Sequence, residues 1–233
     1  MQLIITINLL FFLTDIMFGQ NPNSRTPVTY LALGDSYTIG ESVSEQERWP
    51  NQLADSLRKN GMDVAKPVII AKTGWRTDDL KNAMTMAHLK NEYSRVSLLI
   101  GVNNQYQNKP VDQYTIEFED LLKTAIRLAQ DKKENVFVVS IPDYGFTPFG
   151  RPKQSAISVA IDEFNAVNKR IAEKLGVRYV EITDISRLGL KQPDLVAPDG
   201  LHPSGKMYAL WVERILKVIK LLFSDFFPAD SAD

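Results

Sequence analysis

From Val28 onward the chain alternates short, almost wholly apolar runs with longer stretches in which apolar residues recur every three or four positions. The first kind suits strands covered on both faces and the second suits amphipathic helices; their alternation is the pattern of βαβ units on a parallel sheet. The runs that read as strands are VTYLALG from Val28, AKPVIIAK from Ala65, VSLLIGV from Val96, NVFVVSI from Asn135 and VRYVEI from Val177. The clearest helix is expected from about Ser155 to Leu175, where Ile157, Ala160, Ile161, Phe164, Val167, Ile171 and Leu175 fall on one face. Another closes the chain, with Ser204 as its N-cap and Met207, Leu210, Trp211, Ile215, Val218 and Leu222 as its buried stripe. A further helix is expected from Thr77, a capping residue followed by Asp78 and Asp79, whose charges suit a helix N-terminus. Together these elements predict a three-layer α/β/α sandwich around a five-stranded parallel sheet.

Composition narrows the function more than the fold. At 233 residues, 44% hydrophobic and 24% charged, the chain suits one globular domain with no need of disulfides or metal for its core. The 27 Lys and Arg against 28 Asp and Glu give no electrostatic reason to expect nucleic acid as a partner. Nothing in the pattern calls for a stable protein partner or a cofactor. The chain has no cysteine, which removes thiolate nucleophiles and Cys-ligated zinc. Residues 1–19 form an N-terminal apolar segment whose core, Leu3 to Phe18, has signal-peptide length and falls short of the roughly 20 residues of a membrane span. That reading places the protein outside the cell or in the periplasm. No Lys or Arg precedes Arg25 and Asp15 interrupts the run, so an uncleaved anchor and a cytoplasmic protein starting at Met17 are the competing readings. A polar linker at 20–27 follows, then the domain at 28–225 and a tail at 226–233.

Ligands of such sheets gather beyond the carboxyl ends of the strands, where the strand order reverses. Gly34, Asp35 and Ser36 follow the first strand; Thr73, Gly74 and Trp75 the second; Asn103 and Asn104 the third; Asp143 and Tyr144 the fourth. The loop before the closing helix reads APDGLHPSG and carries one of the two histidines. A serine hydroxyl becomes a nucleophile only when a base takes its proton, and that base must be held in one tautomer by a third group. Ser36 is the candidate nucleophile, His202 the base and Asp199 the orienting acid. Asp35 and Asp143 compete for the last role from the same edge. The other histidine, His88, is expected within an amphipathic helix, away from the strand ends. The oxyanion donors would be the backbone N–H of Ser36, that of Gly74 and the side-chain amide of Asn103.

These residues resemble the GDSL or SGNH hydrolases. GDSYTIG is similar to that family's first block, with Ser36 at the nucleophile; KTGW to its second, with Gly74; GVNN to its third, with Asn103; and DGLHPSG to its last, with Asp199 and His202. The resemblance implies a flavodoxin-like fold and a serine hydrolase, independent of metal, acting on carboxylic esters or thioesters. One departure is Asn104, where the family's third block often carries aspartate. Gly-x-Ser-x-Gly, the mark of another hydrolase fold, is absent. Tyr37, Trp75, Tyr106, Tyr144 and Phe146 are the aromatic residues expected to line a pocket for a small-molecule or glycan ester. An acyltransferase using the same residues, and a glycan-binding module without chemistry, are the alternatives.

Overall fold

The computed structural model describes residues 27–219. The expected signal core, most of the linker, the tail and Leu222 lie outside the described residues. Each run expected to be a strand forms one, β3 starting one residue before its run: β1 (Tyr30–Gly34), β2 (Val68–Ala71), β3 (Arg95–Leu99), β4 (Val136–Val139) and β5 (Arg178–Val180). They pair in parallel in the order β2-β1-β3-β4-β5, with Leu31 of β1 opposite Val68 on one side and Val96 on the other. Every residue of β1 and β4 is buried. At the two edges a strand has a neighbour on one side only, and there full coverage gives way: β2 is partly exposed, with Val68 at 40%.

The helices are α1 (Ser36–Ile39), α2 (Trp49–Lys59), α3 (Thr77–Met86), α4 (Val102–Tyr106), α5 (Val111–Leu128), α6 (Gln154–Leu175), α7 (Thr183–Ser186) and α8 (Gly205–Ile219). α2 packs on α8, while α5 packs on both α3 and α6, giving the outer layers of the sandwich. The apolar faces of α6 and α8 fall where the three- and four-residue spacing puts them, and the Ser204 hydroxyl accepts the Met207 N–H at the start of α8. Two polar residues share the buried face of α6. Asn165 bonds both the N–H and the C=O of Ile141, just beyond β4, and Asn168 accepts the Tyr114 hydroxyl. These are partners that buried polar groups require.

Two local expectations are corrected. Thr77 is the first helical residue of α3 rather than its cap: Arg76 occupies the N-cap position and its N–H is taken by Asp79 at 3.0 Å. His88 lies past the end of α3, in a turn with φ of 46°, not inside a helix. At the end of β1, Gly34 has no room for a side chain, because a Cβ would stand 2.2 Å from the Thr38 hydroxyl oxygen and 2.4 Å from the Leu99 carbonyl oxygen.

Candidate active site

The chain leaves β1 for β2 on one side and continues through β3, β4 and β5 on the other, so the order reverses between β1 and β3. The crevice of such a fold opens at that point. One residue after β1, Ser36 begins α1, because the Asp35 carboxylate accepts the Tyr37 N–H at 3.1 Å and caps the turn. Asn103 follows β3 on α4. Gly74 follows β2 with φ of 83°; a Cβ there would meet nothing within 4 Å, so the backbone conformation, not space, demands glycine.

His202 ends a tight loop that folds on itself: its carbonyl accepts the Ala197 N–H at 2.7 Å, and the Gly200 N–H returns to the Ala197 carbonyl at 2.9 Å. Asp199 holds this loop from inside. Its Oδ1 accepts the N–H groups of Leu201 at 2.9 Å and His202 at 3.0 Å, and its Oδ2 lies 2.6 Å from His202 Nδ1. An ionised carboxylate only accepts, so the proton between them sits on Nδ1 and Nε2 is left as an acceptor. Oδ2 also accepts the Ser42 hydroxyl at 2.6 Å. Partial burial pushes the Asp199 carboxyl up, but these donors outweigh it and hold the group well below the usual carboxylate range.

The competing acids are engaged by other partners. Asp143 is fully buried, with Oδ1 on the Gly145 N–H and Oδ2 shared by the Ser158 hydroxyl and Arg187 Nε at 2.7 and 3.0 Å. Asp35 is also fully buried, and its Oδ2 has no hydrogen-bond partner among the described residues. Burial pushes its carboxyl up to about 7, against which the Tyr37 N–H acts only in part.

A cavity of about 200 Å³ gathers Ser36, Gly74, Asn103 and His202, together with Tyr37, Thr73, Val102, Tyr106, Tyr144, Phe149 and Leu201. A larger cleft, about 370 Å³, is lined by residues of α3 and α5 and by His88. It holds none of the residues at the strand ends that carry the serine, the amide donors or the Asp199-paired imidazole, so the smaller cavity is the candidate site. The Asn103 amide donates to the Trp75 carbonyl at 2.9 Å, and the same NH₂ group carries a second N–H. Asn104, at the position of the family's aspartate, is buried and braces the loop: its carbonyl oxygen accepts the Thr77 N–H and its amide donates to the Thr77 hydroxyl. That hydroxyl in turn donates to Glu117.

Of the five expected aromatic residues, Tyr37, Tyr106 and Tyr144 line the cavity; Trp75 packs against the core instead, and Phe146 lies outside the lining with Arg187 over its ring. Tyr37 lies edge-on to the His202 ring at 5.8 Å and to Trp211 at 6.4 Å, so it backs the imidazole. Phe149 joins Tyr106 and Tyr144 in a wall of three rings, with centroids 6.2 to 6.3 Å apart. Sequence reasoning missed Phe149 because it listed the residues right after each strand, whereas Phe149 returns to the edge through its N–H bond to the Gly200 carbonyl. Ser42 was missed as well, and no motif marks it. Among the described residues no group of three or more acidic or histidine side chains is arranged to hold a metal ion.

No relative among the curated proteins matches the chain. Solved structures with the same fold include a psychrotrophic esterase from Pseudoalteromonas sp., 18% identical over 84% of this chain and 99% of its own, with a TM-score of 0.64. A lipase/acylhydrolase from Enterococcus faecalis is 20% identical over 83% of this chain and 96% of its own, with a TM-score of 0.63. An acetylxylan esterase from Geobacillus stearothermophilus is 18% identical over 82% and 94%, also at 0.63. The model of one family matches residues 32–210, from the middle of β1 to the first turns of α8, and so spans every block of the site: the chain belongs to the GDSL-like lipase/acylhydrolase family.

Proposed function

We propose that the protein is a serine esterase that cleaves short-chain carboxylic esters through an acyl-enzyme on Ser36. The observation that carries this is the 2.6 Å pairing of Asp199 with His202 Nδ1, set behind a cavity that also holds Ser36, Gly74 and Asn103. Ser36 Oγ attacks the ester carbonyl carbon while His202 Nε2 takes its proton, and Asp199 stabilises the imidazolium through Nδ1–H. Negative charge moves to the carbonyl oxygen, where the N–H groups of Ser36 and Gly74 and the second N–H of Asn103 receive it. Collapse of the tetrahedral adduct expels the alcohol with the proton from His202. Water then attacks the acyl-enzyme by the same route, restoring Ser36 and releasing the acid. None of these steps calls on a metal or an organic cofactor.

The cavity supports a small acyl group. Its 200 Å³ lies below the roughly 300–1,000 Å³ of sites for drug-sized ligands, and Val102, Leu201, Tyr106, Tyr144 and Phe149 give it apolar walls. The test is a series of p-nitrophenyl esters from acetyl to long acyl chains, run with wild type and Ser36→Ala. Turnover that peaks at short chains and falls at least about 10,000-fold in the variant is expected. Ser36→Ala with full activity refutes the reading. Product analysis with added alcohols separates hydrolysis from acyl transfer, and the esters named for the structural neighbours, acetylated xylan among them, are the natural candidates to try next.

A further inference from the structure

We propose that Ser42 is a positioning residue that sets the Asp199 carboxylate against His202 and ties the loop of the base to the segment of the nucleophile. The inference rests on reading Ser36, His202 and Asp199 as a triad. Its geometry is independent of that reading: the Ser42 hydroxyl donates at 2.6 Å to Asp199 Oδ2, the same oxygen that faces His202 Nδ1 at 2.6 Å. Asp199 Oδ1 is pinned by two backbone N–H groups of its own loop, so Ser42 is the donor that anchors the other oxygen from outside that loop.

Ser42 is itself fixed to the nucleophile. The N–H groups of Gly40 and Glu41 both return to the Ser36 carbonyl at 3.0 Å, which locks the segment between Ser36 and Ser42 into a tight turn. The neighbouring Glu41 carboxylate accepts the Thr73 hydroxyl, so the same segment also reaches the loop that presents Gly74. One short stretch after α1 thereby touches both the loop of the base and the loop of an oxyanion donor. Ser42 adopts φ of 65°, a left-handed conformation that glycine takes without penalty and serine does not. A residue held in that region over-determined by its surroundings points to a use for its side chain. Here the use on the page is the bond to Asp199. With it, the carboxylate is held in the plane that meets Nδ1–H; without it, water takes the donor's place and the carboxylate samples other orientations.

The test compares Ser42→Ala, which loses the hydroxyl and keeps the strained backbone, with Ser42→Gly, which loses both. In the full chain, kcat is expected to fall about fivefold in each, the worth of one hydrogen bond to a charged group partly open to solvent, with KM changed less than about twofold. Ser42→Gly should unfold on the order of 2–4 °C above Ser42→Ala, because it sheds the left-handed strain. Activity would then follow the hydroxyl while stability follows the backbone. In an Asp199→Asn background, Ser42→Ala should add no further loss, since its effect runs through that carboxylate. The labelling rate of Ser36 by a fluorophosphonate gives the same comparison without a chosen ester. Unchanged kcat and labelling in both variants overturn the inference, as does a loss in Ser42→Ala that Ser42→Gly restores. Turnover or labelling that survives Ser36→Ala refutes instead the triad on which the inference stands.

Discussion

Two carboxyl groups flank the proposed nucleophile and base, and they have opposite characters. Asp35 is fully buried beside Ser36, receives one backbone N–H on one oxygen and has no partner on the other among the described residues; its carboxyl is pushed up to about 7. Asp199 stands nearer solvent, receives four donors, and is held well below the ordinary range. Burial without donors favours the neutral form of a carboxyl. Donors make it an anion that a histidine can lean on. Nearness to Ser36 in sequence therefore does not decide between them; the donors gathered on Asp199 are what favour it as the orienting acid under the proposed function.

The comparison breaks most visibly at Asp199. Asp199→Asn keeps the shape and removes the anion, and kcat is expected to fall roughly 10,000-fold in steady-state assays. A loss under tenfold would mean that the four donors serve the loop alone. Next in size is the pH dependence of Asp35. Its folded value of about 7 exceeds its ordinary 3.8, so the folded state holds the proton longer and stability is lost as pH rises through that window. Asp35→Asn keeps the Oδ1 acceptor for Tyr37 and removes the titration. By pH 8 the variant should gain on wild type by about 4 kcal/mol relative to the difference at pH 4, read by chemical unfolding. A difference independent of pH would place the proton elsewhere. The smallest effect is expected at Asn104, also buried but met by the Thr77 N–H and hydroxyl. Asn104→Asp puts a carboxylate where donors wait, at the cost of turning the Thr77 hydroxyl away from Glu117. Its Tm at pH 8 should stay within about 4 °C of wild type. A larger drop would show burial outweighing the donors.

Much of this molecule was legible before the structure. Buried parallel strands must be apolar along their whole length, so β1 and β4 announced themselves, and the residues after each strand identified Ser36, Gly74 and Asn103 as candidates for one edge. Periodicity also found α6 and α8, and the acidic residues after Thr77 marked the start of α3. What stayed hidden depends on contacts distant in the chain. Asn165 and Asn168 lie on the apolar face of α6 because Ile141, just beyond β4, and Tyr114 supply partners that periodicity cannot see. Thr77 reads as a cap, yet its hydroxyl is claimed by Glu117, 40 residues away. Ser42 reaches Asp199 across 157 residues from a backbone conformation that its residue type gives no reason to expect.

The bare backbone at Gly34 bears on how such a protein can diversify. With the Thr38 hydroxyl oxygen and the Leu99 carbonyl oxygen within 2.4 Å of where a Cβ would sit, even alanine would wedge β1 from β3 and widen the crevice beneath the serine. The half-exposed rings of Tyr106 and Phe149 face no such obstacle. New substrate preferences are thus open to descent by small steps along the rim, while the floor of the site admits almost no drift.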